Sequence, residues 1–204
     1  MLRRSILLLG AVASISVATY VHSAVTLGQK ARNFTAKDVS GKTVRLADFK
    51  GKHVELEWVN PGCPFVRKHY NGGNMQSTQK DAASKGVVWL AINSTETSHT
   101  DYLDPVKLGA WMKEKSSTVN ATLMDESGSI GKAYGAKTTP HMYIINPQGN
   151  LVYAGAIDSI PSAREADIAK ATNYVKAALA EAAQGKVIST ASTAPYGCSV
   201  KYKS

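Results

Sequence analysis

Along residues 53–59 the chain alternates: Val54, Leu56 and Trp58 are separated by Glu55 and Glu57, and Val59 carries the apolar character on toward Cys63. A period of two predicts a strand over "HVELEWV". Pro64 then suits a first helical position, because its missing donor has no partner there, so a helix is expected to begin at Pro64 with Cys63 at the cap. Gly72 and Gly73 should interrupt it. A second helical segment runs from Asn74 to Lys85 and is closed by Gly86, which tolerates the left-handed cap. "VVWLAIN", almost wholly apolar, reads as a strand buried on both faces. Upstream, Thr43 to Leu46 reads as a short strand between the turns "SGK" and "DFKGK".

Further on, Pro105 to Lys115 reads as a helix, "ATLM" as a short strand, and Ser129 to Tyr134 as a small helix. "GAKTTPHMYIINPQGNLVYAGAID" predicts two strands joined by a turn at Pro147 to Asn150. Ile168, Thr172, Val175, Leu179 and Ala182 recur at spacings of four and three, which predicts one long closing helix. Strands alternating with helices give an α/β class, a central sheet with helices on both faces. No internal repeat is visible. The segment from Gly185 to Ser204, rich in Ser, Thr and Ala, reads as a linker or an appended arm.

A chain of 204 residues with 44% hydrophobic and 19% charged positions suits one globular domain. Its first residues carry two arginines, an uncharged stretch from Ser5 to Tyr20 and small residues near Ala24, the pattern of a secretory leader. Residues 1–24 are therefore expected to be removed, with 25–184 as the domain and 185–204 as the tail; an uncleaved membrane anchor is the alternative. The product is expected to be periplasmic or secreted, with no stable membrane insertion. Loss of Arg3 and Arg4 lowers the formal charge from +9 to +7, which suits acidic partners or simply solubility. The lysines are spread along the chain, so no nucleic-acid partner is expected.

Cys63 and Cys198 are the two cysteines. In an oxidising compartment a disulfide between them can persist. A thiol attacks as thiolate, and the unpaired N–H groups of a helix start favour that charge, so the Cys63 sulfur is expected to be ionised and open to solvent. Arg67, in the first turn, adds a cation; Lys68 and His69 follow, and the three also read as one solvated helix face. For Cys63 itself the alternatives are an inert buried thiol or half of a permanent cross-link. No metal is expected: Cys63 and His69 stand six apart, about 120° around an ideal helix, and no spacing of metal ligands occurs. No phosphate loop or Gly-x-Ser-x-Gly elbow occurs, and no cofactor is expected.

"FTAKDVSGKTVRLADFKGKHVELEWVNPGC" and "LMDESGSIGKAYGAKTTPHMYIINPQGNLVYAGAID" resemble the redoxin branch of the thioredoxin superfamily over about Val25 to Leu179. With "NPGCPFVRKHY" and the terminal "GCSVKY", the chain is similar to the peroxiredoxin-like, alkyl hydroperoxide reductase/thiol-specific antioxidant proteins. The resemblance implies a thioredoxin-like fold with an N-terminal extension, Cys63 as nucleophile and Cys198 as a candidate resolving cysteine. It also implies that Pro140 is cis and that Thr139 offers its backbone to substrate; Trp58 and Arg67, near Cys63 in the sequence, are likewise expected at the substrate site.

The departures narrow the chemistry. The position three after Cys63 is Val66, so the Cys-x-x-Cys of thioredoxins is absent. Leu56 and Asn60 stand where peroxiredoxins carry proline and threonine. Between Arg67 and Arg164 there is no arginine, and Lys137 lacks the planar fork that polarises a peroxide. Exchange with protein or small-molecule thiols and disulfides, served by an external reductant, is thus favoured over attack on hydroperoxides. Thirteen residues from Gly185 span up to about 43 Å against a radius of gyration of about 16 Å, so Cys198 can reach Cys63. Whether that pair is a labile redox centre or the staple of a non-catalytic binding domain is left open by the sequence.

Overall fold

The structure, a computed structural model, describes residues 24–203. The expected leader lies outside them but for Ala24. Its first strand, β1 (Thr35–Asp38), was not announced by the hydrophobic pattern. It pairs antiparallel with β2 (Thr43–Arg45) across a turn built by Asp38, whose Oδ1 accepts from the backbone N–H groups of Ser40 (2.8 Å) and Lys42 (2.9 Å).

The alternating stretch forms β3 (Val54–Trp58), and α1 (Pro64–Asn71) starts at the proline. There follow α2 (Asn74–Ser84), β4 (Val88–Asn93), α3 (Pro105–Glu114), β5 (Ala121–Met124) and α4 (Ser129–Tyr134). Two-residue β6 (Thr138–Thr139) precedes the hairpin of β7 (His141–Ile145) and β8 (Leu151–Gly155). Seven strands make one sheet in the order β2-β1-β5-β4-β3-β7-β8. Only β3, β4 and β5 run parallel to one another; every other pairing is antiparallel.

The predicted long closing helix is shorter than its periodicity suggested: α5 spans Tyr174–Ala183. Ile168 belongs instead to a 3-10 turn, Glu165–Lys170. The break has a cause in hydrogen bonding. Ser159 and Thr172 exchange bonds, and Asn173 caps α5 by accepting from Lys176 N at 2.9 Å. Ile168 still packs inward, into the space that Gly72 leaves.

The sheet separates two apolar clusters. On one face Val66 and Tyr70 of α1, Met75 of α2, Leu108 and Met112 of α3, and Val175 and Leu179 of α5 pack together. On the other, Leu56, Trp58, Leu90 and Ile92 pack against Ile130 and Tyr134 of α4. Glu55 and Glu57 point to the helix-rich face, and both are fully buried. Glu57 accepts from Tyr70 Oη (2.9 Å), Trp89 Nε1 (2.8 Å) and Gln79 Nε2 (3.4 Å). Among the described residues no helix is long and apolar enough to cross a membrane.

Candidate active site

Cys63 sits at the junction of β3 with α1, at the end of a tight turn. Asn60 makes that turn: its Oδ1 accepts from Gly62 N (2.7 Å) and its carbonyl from Cys63 N (3.0 Å). Cys63 has extended dihedrals (φ −79°, ψ 123°), and its carbonyl receives the first helical bond from Arg67 N (3.0 Å). The thiol does not cap the helix; Sγ donates across the site to the carbonyl of Thr139 at 3.0 Å. The Thr139–Pro140 peptide is cis, as the resemblance implied.

The sulfur was expected to be open to solvent. It is 1% exposed. What covers it is the tail, which is no linker: β9 (Cys198–Ser199) pairs antiparallel with β6, setting Cys198 opposite Thr139 and Ser199 opposite Thr138. Cys63 and Cys198 lie in contact as free thiols. Burial, then the hydrogen bond and charge of the Cys63 sulfur, hold the Cys198 thiol well above the usual thiol range.

The basic trio is not one solvated face. Arg67 is exposed, and its Nε donates to Pro61 O at 2.7 Å, bracing the loop rather than meeting an incoming group. Lys68 is 1% exposed; its Nζ lies 3.4 Å from Asp158 Oδ2 and 3.2 Å from Ile160 O. His69, also buried, has its pKa pulled down to about 4 by burial, so the ring is neutral at physiological pH. The tautomer follows from its neighbours. Asn74 Nδ2 donates to Nδ1 (2.8 Å), Nε2 donates to Tyr196 Oη (3.0 Å), and Tyr196 donates in turn to Asp158 Oδ1. Tyr196 also stacks edge-on to Phe65 (5.8 Å between centroids), with Lys68 Nζ 5.7 Å from its ring. Asp158 and Tyr196 are site-forming residues that the sequence did not mark; the only hint was their place beside "APYGC" and after the hairpin.

Trp58, expected at the substrate surface, belongs to the core. It is fully buried on the face opposite Cys63, packed on Tyr143 (5.0 Å) and Tyr134 (5.6 Å), and Nε1 donates to Ser94 Oγ at 3.0 Å. The cause is register: Trp58 shares the pleat face of Leu56 and Val54, and the next turn carries Cys63 to the other side. Leu56 is likewise core, and Asn60 spends its side chain on Gly62 and on Thr95 Oγ1 (3.3 Å).

Residues 27–154, which hold Cys63, Thr139 and Pro140, match the model of the AhpC/TSA family. The chain belongs to the AhpC/TSA family. The match stops before α5 and the segment bearing Cys198, so the cover over the thiol lies outside the matched residues. The thiol-disulfide oxidoreductase ResA of Bacillus subtilis (strain 168) is 30% identical over 129 residues, which are 63% of this chain and 66% of ResA. The alignment thus spans just under two thirds of that relative. A hypothetical protein from Sinorhizobium meliloti 1021 superposes with a TM-score of 0.75 at 26% identity, covering 89% of this chain and 97% of its own. The thioredoxin domain of a thiol-disulfide oxidoreductase from Bacteroides vulgatus superposes at 0.52 with 22% identity, covering 72% of this chain and 98% of its own. The fold is thioredoxin-like.

Proposed function

We propose that this AhpC/TSA member is a thiol-disulfide oxidoreductase in which Cys63 is the attacking sulfur and Cys198 resolves the intermediate. One observation carries the reading: two cysteines 135 positions apart are brought into contact at a helix start, beside the backbone of Thr139. The 30% identity to a protein named a thiol-disulfide oxidoreductase supports it. The order of attack follows from charge. Cys198 is held as a neutral thiol by burial and by its neighbour, whereas Cys63 stands at the positive end of α1.

The reaction balances as two exchanges. Cys63 thiolate attacks a substrate disulfide, one substrate sulfur leaves as a thiol, and a mixed disulfide remains on Cys63. Cys198, giving up its proton, then attacks Cys63 Sγ and expels the second substrate thiol. Two electrons have passed to the substrate, and the Cys63–Cys198 disulfide is reduced again by an external dithiol. Hydroperoxide attack is disfavoured, since the positions of the peroxidase proline and threonine are taken by a core leucine and a turn-forming asparagine.

Cys198→Ser should trap a mixed disulfide on Cys63, detected by mass spectrometry of the non-reduced protein. Trapping by Cys63→Ser alone would reverse the two roles. A measured potential below about −300 mV would make the pair a structural staple instead. We further propose that the protein acts after export, on the strength of residues 1–24; sequencing the mature amino terminus tests that directly.

A further inference from the structure

The carboxy-terminal segment lies where an incoming strand would pair. Besides the β9–β6 ladder, Val200 N donates to Lys137 O at 3.0 Å, so the backbone groups beside Pro140 are occupied by the chain itself. Gly197 makes this approach feasible. Its φ of +134° is rarely adopted by residues with a side chain, and a β-carbon there would collide with the carbonyl oxygen of Thr139. On one side of Cys198, Tyr196 plugs the Lys68–His69–Asp158 cluster. On the other, Tyr202 donates to Ala136 O (2.8 Å), and its ring fills the space left by Gly128 and Gly131. With both ends held, Cys63 is shut in.

We infer that residues 196–202 are a displaceable internal strand lying on the Thr139 edge, where the resemblance already implies that substrate backbone pairs, and that an extended, cysteine-bearing stretch of polypeptide enters by displacing it. This rests on the thiol-exchange reading above. The register supplies the argument. A backbone strand with cysteine opposite Thr139 puts its sulfur against Cys63, and main-chain pairing selects an extended polypeptide over a small molecule. Substrate then enters by exchanging with the strap. Cys63 attacks its disulfide and releases one substrate thiol; the returning strap evicts the bound strand as Cys198 attacks Cys63 Sγ and expels the second. The strap already covers Cys63 with both thiols free; the Cys63–Cys198 bond locks it in place, and an external dithiol that reduces the bond leaves it held by its non-covalent contacts alone, ready to exchange again.

The test is the rate at which iodoacetamide alkylates Cys63 in the reduced full chain, followed by mass spectrometry of the Cys63 peptide. Wild-type Cys63 should react at least tenfold more slowly than free cysteine at the same pH. Tyr196→Phe, which loosens the plug, and Gly197→Ala, which blocks the close approach, should each speed it at least fivefold with an unchanged far-ultraviolet circular dichroism spectrum. A synthetic peptide of residues 193–203 with serine in place of Cys198, added to the Gly197→Ala protein, should slow alkylation again, while the same residues in scrambled order should not. Equal rates in the wild type and both variants overturn the inference, as does equal protection, or none, by the two peptides. These readouts need no disulfide substrate. An opened variant that also carries Cys198→Ser, alkylates fast and yet traps no mixed disulfide with a disulfide substrate would count against the exchange reading alone.

Discussion

The hydroxyl of Tyr70 donates to Glu57 Oε1 at 2.9 Å, joining α1, the helix that starts just after Cys63, to a carboxyl group buried in the strand beneath it. Burial raises the pKa of Glu57 to about 7 from an ordinary 4.5, despite the bonds from Trp89, Tyr70 and Gln79. A raised pKa contributes stability that is full below pH 4.5 and is lost as pH rises through about 7, roughly 3 kcal/mol in all. Two buried imidazoles act in the opposite sense. His69, lowered to about 4, and His141, lowered to about 3, contribute stability present above pH 6.5 and lost as pH falls toward those values. Glu55, which burial raises well above the ordinary carboxyl range, acts in the same sense as Glu57, so two carboxyls oppose two imidazoles and between pH 4.5 and 6.5 the wild type should show little net dependence. Glu57→Gln removes one of the two falling contributions, so its stability relative to wild type should climb by about 3 kcal/mol from pH 4.5 to 7.5 in urea unfolding. A difference that stays constant with pH would refute the assignment.

Closing the Cys63–Cys198 bond ties a loop of 135 positions. The chain-entropy model gives about 5 kcal/mol of stabilisation for such a loop. Guanidinium unfolding of the oxidised and reduced proteins should differ by a gain approaching that figure. A gain under about 1 kcal/mol would mean that native strain consumes the benefit, and that the bond is readily reduced.

Trp58 should behave as a core residue and not as a substrate contact. Trp58→Ala is expected to cost about 3 to 5 kcal/mol of stability. Trp58→Phe, which keeps a ring against Tyr134 and Tyr143, should leave the rate of Cys63 alkylation within twofold of wild type. A large change in that rate without loss of stability would return Trp58 to the site.

Lys68 and Asp158 form an ion pair away from water. Lys68→Met leaves a buried carboxylate with one fewer partner and should cost about 3 to 5 kcal/mol. Asp158→Asn keeps an amide oxygen to accept from Tyr196 but sets an NH2 group against Lys68 in place of the charge it needs, and should cost a similar amount. In a double-mutant cycle the combined change should cost clearly less than the sum of the two, measured by thermal or urea unfolding.

Much of this architecture was readable from local rules. Pro64, the Gly72–Gly73 break, Gly86 and the Pro147–Asn150 turn punctuate the chain where backbone chemistry demands, and β3, β4, α1 and α2 follow from them. The candidate site was legible as far as Cys63, Thr139 and the cis proline. Residues whose role depends on distant partners were not. "TAKD" has no apolar alternation, and β1 exists because β2 and β5 flank it. Glu55, Glu57 and Lys68 look like solvent-facing charges until Trp89, Gln79 and Asp158 arrive from elsewhere in the chain. The strap reads as polar filler because its receiving surface, the Thr138–Thr139 edge and the slots at Gly128 and Gly131, is spread over other segments.

The distance in sequence between the sulfur and its cover has a consequence for biosynthesis. At ordinary translation speeds of about 5 to 20 residues per second, Cys63 emerges on the order of ten seconds before Cys198 exists. Through that interval nothing of the nascent chain covers Cys63, so on the exchange reading proposed above a molecule cut short before Gly197 would be promiscuous where the finished one is discreet.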